Sequence, residues 1–193
     1  ANDEVYVDFI SGAANLEVYD LVILPGTKST IADLKWLKKT GLFEALKKRT
    51  KAIYGICGGY QMMFNNIIDD KNIENEQHEK ESGLGFIEDE IYFQEQKILK
   101  NSSYDLFGLL LDGFEIHNGV SKKHQLFYEK DHIKGAFIHG IFDNDNFTNE
   151  YFKSLNHNYV DFNFQEYKKN KIKTFVDTIK ESLDVKRILD SVS

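Results

Sequence analysis

The stretch "YGICGGYQMMF", residues 54–64, decides how this chain folds around its one cysteine. Cys57 has a glycine two residues before it and another two residues after it. It lies between an apolar run, "KAIYGIC" (51–57), which predicts a buried strand, and "GGYQMMFNNI" (58–67), which predicts the start of a helix. Gly-x-Cys-x-Gly between a strand and a helix has the form of a nucleophile elbow, with cysteine in the place of serine. In so sharp a turn larger flanking side chains would clash, and glycine removes the clash.

The predicted elbow also supplies a way to activate the thiol. It places the sulfur at the N-terminal end of a helix, where the helix dipole and free N–H groups favour a thiolate. The N–H of Gly58 would point to the place where a tetrahedral oxyanion forms. The alternative is that Cys57 is a small buried apolar side chain, as most lone cysteines are. The glycines around it favour the nucleophile.

The rest of the chain predicts an α/β domain with a mostly parallel or mixed sheet. The predicted strands span 5–10, 19–26, 51–57, 83–93, 112–120 and 134–142. The predicted helices are 29–39 with Thr30 as N-cap, 40–50, the helix from 58, 149–156, and a final amphipathic unit with Ile172, Phe175, Val176, Ile179 and Leu183 on one face. The run 19–26 is continuously apolar, which is typical of a parallel strand buried on both faces. The polar segment 69–82 is predicted to be a surface loop.

Composition excludes several classes of protein. The 193 residues suit one domain, and 41 % apolar with 28 % charged residues is typical of a soluble globular protein. A net charge of −7 argues against nucleic-acid and membrane-surface partners. One cysteine excludes an internal disulfide and a cysteine-based zinc site. The sequence has neither a signal-peptide pattern nor an apolar run near the roughly 20 residues that span a bilayer, so we expect a cytoplasmic protein.

A cysteine nucleophile needs a general base, and His139 is the best placed of the six histidines. It closes the apolar run "GAFIH", whereas His78, His124, His132 and His157 lie in polar stretches. Active sites of open α/β sheets lie at the carboxyl ends of the strands, so Cys57 and His139 are expected to meet there. The alternative is an ordinary histidine that caps a strand end.

The loop "LPGTKST" ends another predicted strand at the same edge. Gly26 or Thr27 could offer a backbone N–H there as the second donor of an oxyanion hole. Taken alone, the loop also fits an ordinary Pro-Gly turn.

Three motifs, "ILPGTKSTIADLKWL", "GICGGYQMM" and "GAFIHGIFDND", together resemble the C-terminal glutamine amidotransferase domain of cobyric acid synthases. "FEIHNG" (114–119) and the closing segment "YKKNKIKTFVDTIKESLDVKRILD" are similar to the same group, so the resemblance runs from about residue 5 almost to the end. It implies the class I, triad-type glutaminase fold, a flavodoxin-like layered sheet with helices on both faces. It also implies that residues 1–193 are one glutaminase domain.

The resemblance implies a role for each residue of these motifs. Cys57 would form a γ-glutamyl thioester, His139 would be its base, Gly26, Thr27 and Gly58 would line the oxyanion site, and Gln61 would help bind the substrate glutamine. The ammonia would pass to an N-terminal synthetase domain that uses ATP and magnesium to amidate carboxylates of adenosylcobyrinic acid a,c-diamide. The glutaminase domain itself would hold neither a cofactor nor a metal.

The sequence departs from the family pattern in two ways. Triad glutaminases carry a glutamate two residues after the histidine, and here that residue is Ile141. The resemblance therefore implies a Cys–His dyad, or a third member at Asp143 or Glu115. The sequence also has no P-loop for the synthetase. We therefore expect a fragment that lacks the synthetase, together with the first strand and helix of the amidotransferase domain.

Two rival hypotheses remain at this stage. A glutaminase of a cobyrinate a,c-diamide synthase or of a lipid-precursor amidotransferase would share the elbow and the histidine, but a second glycine would be expected in the loop that here reads "GTKST". A non-catalytic interaction domain on the same fold would explain the missing glutamate. The intact pair Cys57 and His139 argues against it.

Overall fold

The structure is a computed structural model that describes residues 2, 5–74, 79–106, 108–184, 187 and 191. Its first sheet has the strand order β1-β2-β8-β7. These strands are β1 Leu21–Leu24, β2 Ala52–Ile56, β7 Phe127–Lys130 and β8 Ile133–Ala136. The strands β1, β2 and β8 run parallel, and β7 is antiparallel to β8. The carboxyl ends of β1 and β2 therefore lie side by side.

The second sheet has the order β4-β3-β5-β6-β9. Its strands are β3 Phe64–Asp69, β4 Glu79–Ser82, β5 Ile87–Leu106, β6 Leu109–Ser121 and β9 Ile138–His139. The strands β5 and β6 form a long antiparallel hairpin whose register shifts between Phe93 and Ile98. This hairpin carries β9 on its outer side.

Five α-helices complete the described part of the chain. They are α1 Thr30–Thr40, α2 Leu42–Lys48, α3 Gly58–Gln61, α4 Asp145–Leu155 and α5 Phe164–Ser182. Short 3-10 turns span Leu16–Val18 and Ile141–Asp143. None of the helices in these described ranges has the length and apolar character that crossing a membrane requires.

The first predicted strand, 5–10, is wrong. These residues form no strand, and the side chains of Tyr6 and Phe9 are 93 % and 95 % exposed. An alternating sequence forms a strand only where another strand pairs with it, and none in the described residues does so here. The run 19–26 does form β1, but as an edge strand with Ile23 exposed rather than one buried on both faces.

The helix that starts at the elbow is much shorter than predicted. It ends at Gln61, and β3 begins soon after it, at Phe64. The strand β3 lies between β4 and β5, and its Phe64 and Ile67 side chains are fully buried. Backbone pairing of β3 with a strand on each side stabilises the strand more than the short apolar run favours a helix. Part of the predicted loop 69–82 is also a strand, β4, whose polar side chains form ion pairs at the sheet edge; residues 75–78 lie outside the described part.

The start of α1 differs in detail from the prediction. Ser29 rather than Thr30 is the N-cap residue, and its side chain makes no capping hydrogen bond. A carboxylate oxygen of Glu74 instead accepts the N–H of Ile31 at 3.1 Å. Glu74, in the loop after β3, thus provides an acceptor for a free backbone N–H in the first turn of the helix and holds the β1–α1 loop in place.

The predicted strand 134–142 is two strands in different sheets. The strand β8 ends at Ala136, Phe137 forms the crossing, and β9 begins at Ile138. The N–H of Phe137 donates to the Leu126 carbonyl at 2.9 Å, and its ring is fully buried. His139 therefore lies in the second sheet and not at the end of a parallel strand.

The predicted helices 40–50 and 149–156 are confirmed as α2 and α4, and strand 112–120 as β6. The strand predicted at 83–93 begins at Ile87 and continues to Leu106. The predicted closing helix is confirmed as α5, and none of its residues is buried. Its apolar face, including Ile172 and Phe175, is exposed.

Candidate active site

The turn at Cys57 has the strained backbone that the glycine pattern predicts. Cys57 has φ 48° and ψ −105°, a conformation that non-glycine residues rarely adopt. It joins β2 to α3, and its N–H donates to the Ala136 carbonyl at 2.8 Å. Strain of this kind persists only where the surrounding structure enforces it, and it is concentrated at functional sites.

The two glycines of the elbow are required by close packing. A Cβ on Gly59 would lie 2.0 Å from the carbonyl oxygen of Leu24, and one on Gly55 would lie 2.7 Å from the Tyr60 Cα. Real Cβ atoms do not approach other atoms so closely. Gly59 therefore lets the elbow pack against β1, and Gly55 lets the start of α3 lie close to the end of β2.

The loop after β1 lies directly against the elbow. The N–H of Gly59 donates to the Pro25 carbonyl at 3.0 Å. The Thr27 amide nitrogen lies 2.9 Å from the point that a Cβ on Gly58 would occupy. The hydroxyl of Thr27 donates to the carboxylate of Asp33 in α1, which fixes the loop. The backbones of Thr27 and Gly58 are thus neighbours, as a two-donor oxyanion hole requires.

His139 and Cys57 line the same small space beside Gly26. A Cβ on Gly26 would lie 3.1 Å from the His139 Cε1, 3.8 Å from its Nδ1, and 3.6 Å from the Cys57 Cβ. The two side chains thus border the space that a side chain at residue 26 would fill, and any larger residue there would crowd the imidazole. The structure brings these three predicted residues together.

Stacking on an aromatic ring fixes the imidazole of His139. Its ring lies on that of Phe114 with centroids 4.9 Å apart and planes at 8°. The two residues are direct partners in the pairing of β9 with β6. The His139 Nε2 is buried and has no hydrogen-bond partner among the described residues. That nitrogen is available to a thiol, a substrate or a water molecule.

The thiol of Cys57 is only 4 % exposed and is protonated at rest. Its Sγ lies 3.7 Å from the Ile116 carbonyl of β6, to which the thiol donates. Burial raises the pKa of the Cys57 thiol to about 11, and the Gly58 N–H and the charge of Lys97 oppose this rise only in part. Activation therefore requires a partner that removes the proton.

His139 is suited to that task because it is neutral. Burial, and secondly the nearby His117, lower the pKa of His139 below its usual value. A neutral imidazole beside a neutral thiol is the state in which histidine can accept the proton as the sulfur attacks.

Neither candidate acid contacts His139 in the part of the chain that the structure describes. The carboxylate of Glu115 accepts the Tyr104 hydroxyl at 3.0 Å and lies 3.2 Å from the Nε2 of His117. Asp143 is exposed in the turn after β9. Ile141, at the usual position of the third triad member, is 1 % exposed and packs in the core. The geometry therefore matches a Cys–His dyad.

Gln61 lies beneath the hairpin, next to Gly119 of β6. It is buried in α3, and its Oε1 has no hydrogen-bond partner among the described residues. This oxygen is 2.7 Å from the point that a Cβ on Gly119 would occupy. Its role in binding the substrate stays a prediction.

The site also includes residues that sequence reasoning missed. Phe114, the Ile116 carbonyl and His117 come from β6, and Lys97 from the bulge of β5. The signal was present in "FEIHNG", whose six residues alternate between the two faces of a strand, three on each. Within the described residues, no group of three or more metal-ligating side chains gathers anywhere.

Residues 1–147 match the family of CobB/CobQ-like glutamine amidotransferase domains. The chain is 46 % identical over 192 residues to the cobyric acid synthase of Acinetobacter baylyi, covering 100 % of this chain and 41 % of that protein. It is 32 % identical over 206 residues to the cobyric acid synthase of Clostridium perfringens, covering 94 % of this chain and 42 % of that protein. The chain thus spans about two fifths of the length of these relatives.

A crystal structure of a glutamine amidotransferase superposes with a TM-score of 0.54 at 19 % identity. The match covers 72 % of this chain and 80 % of that one. At this identity the match concerns the fold alone, and it agrees with the class I amidotransferase fold that the sequence motifs predict. The cobyric acid synthases among the relatives likewise confirm the resemblance on which that expectation was based.

Replacing Gly59 by alanine should destabilise the fold because the new methyl group would meet the Leu24 carbonyl. We expect Gly59→Ala to lower the free energy of unfolding by about 3 kcal/mol or more, the upper range for overpacking. Urea denaturation measures this. Gly12→Ala is the control, since a Cβ there meets nothing within 4 Å, and it should change stability by less than about 0.5 kcal/mol. Equal effects of the two substitutions would contradict the packing described here.

Proposed function

We propose that this chain, which belongs to the family of CobB/CobQ-like glutamine amidotransferase domains, hydrolyses glutamine to glutamate and ammonia through a thioester on Cys57. The observation that carries the proposal is the strained backbone of Cys57, a non-glycine residue. Its side chain and that of the neutral His139 border the same space beside Gly26. A core cysteine gains nothing from that conformation. In a nucleophile elbow, this turn places the reacting atom at the end of the strand and beside the oxyanion donors.

The reaction begins when the Cys57 sulfur attacks the side-chain amide carbon of glutamine. His139 takes the thiol proton and then delivers it to the departing nitrogen, which leaves as ammonia. The N–H groups of Thr27 and Gly58 stabilise the negative oxygen of the tetrahedral intermediate. A water molecule, deprotonated by His139, then cleaves the γ-glutamyl thioester and regenerates the thiol.

His139 works in this scheme without an orienting carboxylate. Phe114 holds the plane of the imidazole, and Gly26 limits how far its edge can move. Because burial keeps the ring neutral, no acid is needed to stabilise a resting imidazolium. This agrees with the position of Ile141 in the core.

The ammonia is used by a synthetase, as in a cobyric acid synthase. The support is the identity to cobyric acid synthases, of which this chain matches about two fifths. The synthetase would lie N-terminal on the same protein, in the cytoplasm, and would use ATP and magnesium to activate carboxylates of adenosylcobyrinic acid a,c-diamide. The loop "GTKST" favours this acceptor over those of the related amidotransferases.

Cys57→Ser tests the nucleophile directly. The substitution should abolish glutamine hydrolysis, because a serine hydroxyl is far less acidic than a thiol and no acid–base chain supports it. Glutamate release measures the loss. Amidation driven by free ammonia in the full-length protein is the internal control and should persist. Glutamine-dependent turnover in this variant would contradict the assignment.

His139→Asn tests the base. We expect the rate of glutamine hydrolysis to fall on the order of a hundredfold or more, the scale of a lost general base. His132→Asn is the matched control and should leave the rate unchanged, since His132 lies in the turn before β8, at the end of the parallel strands opposite to Cys57. A similar loss in both variants would indicate an effect on folding rather than on catalysis.

The pH profile tests the protonation state of His139. Because burial lowers the pKa of His139, the active neutral form persists to lower pH than for a free histidine. The value of kcat/KM should therefore stay high as the pH falls to about 6.5, the usual histidine pKa, and halve only below it. An acid limb with its midpoint at or above that value would show that His139 is not held neutral.

A further inference from the structure

The strand β6 presents two different faces at the active site. Phe114 and Ile116 lie on its partly exposed face, and Glu115 and His117 on its buried face, 6 % and 4 % exposed. The mechanism above uses the Phe114 ring and the Ile116 carbonyl. It leaves unexplained why an acid and a histidine are buried directly behind them.

The buried pair is fully hydrogen-bonded. The Nδ1 of His117 lies 2.7 Å from the Gly119 carbonyl, which can only accept, so this nitrogen carries a proton. The Nε2 lies 3.2 Å from one Glu115 oxygen, and the Tyr104 hydroxyl donates to the other at 3.0 Å. Both ring nitrogens of His117 and both carboxyl oxygens of Glu115 thus have a partner within the buried cluster.

His117 also contacts the crossing that leads to the catalytic histidine. Its ring stacks on Phe137 with centroids 3.9 Å apart and planes at 12°. Phe137 is followed by Ile138, the strand partner of Glu115, and then by His139, the partner of Phe114. The pair therefore fixes β6 against β9 at the point where both catalytic contacts are made.

We propose that Glu115 and His117 are positioning residues for the Cys–His pair. They hold β6 so that Phe114 stacks on His139 and the Ile116 carbonyl meets the Cys57 thiol. The proximity of His117 also lowers the pKa of His139, after the larger effect of burial, because two neighbouring imidazoles resist carrying positive charge together. This inference rests on the proposed glutaminase function. In it, the strand β6 orients the catalytic histidine, as a carboxylate does in triad glutaminases.

Several other titratable groups lie near His117. The titratable groups around it are Glu115 on β6, Tyr104, Lys97 and Lys100 on β5, His139 on β9, and Cys57 at the elbow. Lys100 lies over the Tyr104 ring at 5.2 Å. Of these groups, His117 is the one that lowers the pKa of His139.

The test is His117→Asn, whose amide can replace the Nδ1 donor but cannot reach Glu115 or stack on Phe137. We expect kcat for glutamine hydrolysis to fall about 10- to 100-fold, as for a small misplacement of reacting groups, with KM within about threefold. The acid limb of kcat/KM should move to higher pH, because the neighbouring imidazole that lowers the pKa of His139 is gone. A merely structural role would leave this limb in place.

Glu115→Gln is the conservative variant, since its amide keeps an oxygen for Tyr104 and an N–H for a neutral His117. We expect kcat within about tenfold and the acid limb moved in the same direction. His132→Asn should change neither quantity. If His117→Asn does not fold, as judged by circular dichroism and thermal melting, Glu115→Gln carries the test.

A kcat that is unchanged in folded His117→Asn, or an acid limb that stays in place in the folded variants, would overturn the proposal. If the wild-type protein does not hydrolyse glutamine, the proposed function fails separately. The rate at which iodoacetamide alkylates Cys57, followed by mass spectrometry of its peptide across pH, then tests the positioning role. The same shift of the acid limb supports that role, and its absence overturns it.

Discussion

The close approach of the elbow to β1 is the constraint on which the site depends. Gly59 packs on the Leu24 carbonyl so tightly that no side chain fits between them. This contact drives the chain to turn sharply at Cys57, and the cost is the strained backbone of a non-glycine residue. The same contact brings Thr27 beside Gly58. Nucleophile and oxyanion donors are thus positioned by one packing event rather than by separate interactions.

The proposed base is positioned by different elements. His139 belongs to the second sheet, and Phe137 carries the chain from one sheet to the other. The imidazole then depends on β6 for its orientation, through the ring of Phe114. Because the thiol is protonated and the imidazole neutral at rest, the two sheets bring together a pair that becomes charged only as the sulfur attacks.

Much of the site was predictable because its signals are local. The glycines around Cys57 and the loop after Pro25 reflect local requirements of the backbone, which do not depend on distant parts of the chain. His139 ends an apolar run. The structure brings Cys57, His139 and Gly26 together as predicted. Gln61 lies under Gly119, and its role in substrate binding stays a prediction.

The errors concern segments whose structure is decided by a distant partner. Residues 64–69 form a strand because β4 and β5 pair with them, and the polar stretch 94–106 is a strand because β6 lies beside it. Residues 5–10 have a strand pattern and no such partner in the described residues. Local sequence could not show that Glu115 would pair with His117, since that depends on the face of β6 that becomes buried.

The central claim is that Cys57 attacks glutamine and carries the γ-glutamyl group, and trapping that intermediate tests it most directly. Acid quenching of the protein during turnover with labelled glutamine, followed by peptide mass spectrometry, should find the glutamyl group on the peptide that contains Cys57. The adduct should be cleaved by hydroxylamine, as expected of a thioester. Steady glutamate release with no adduct on Cys57, or with the label on another residue, would contradict the account.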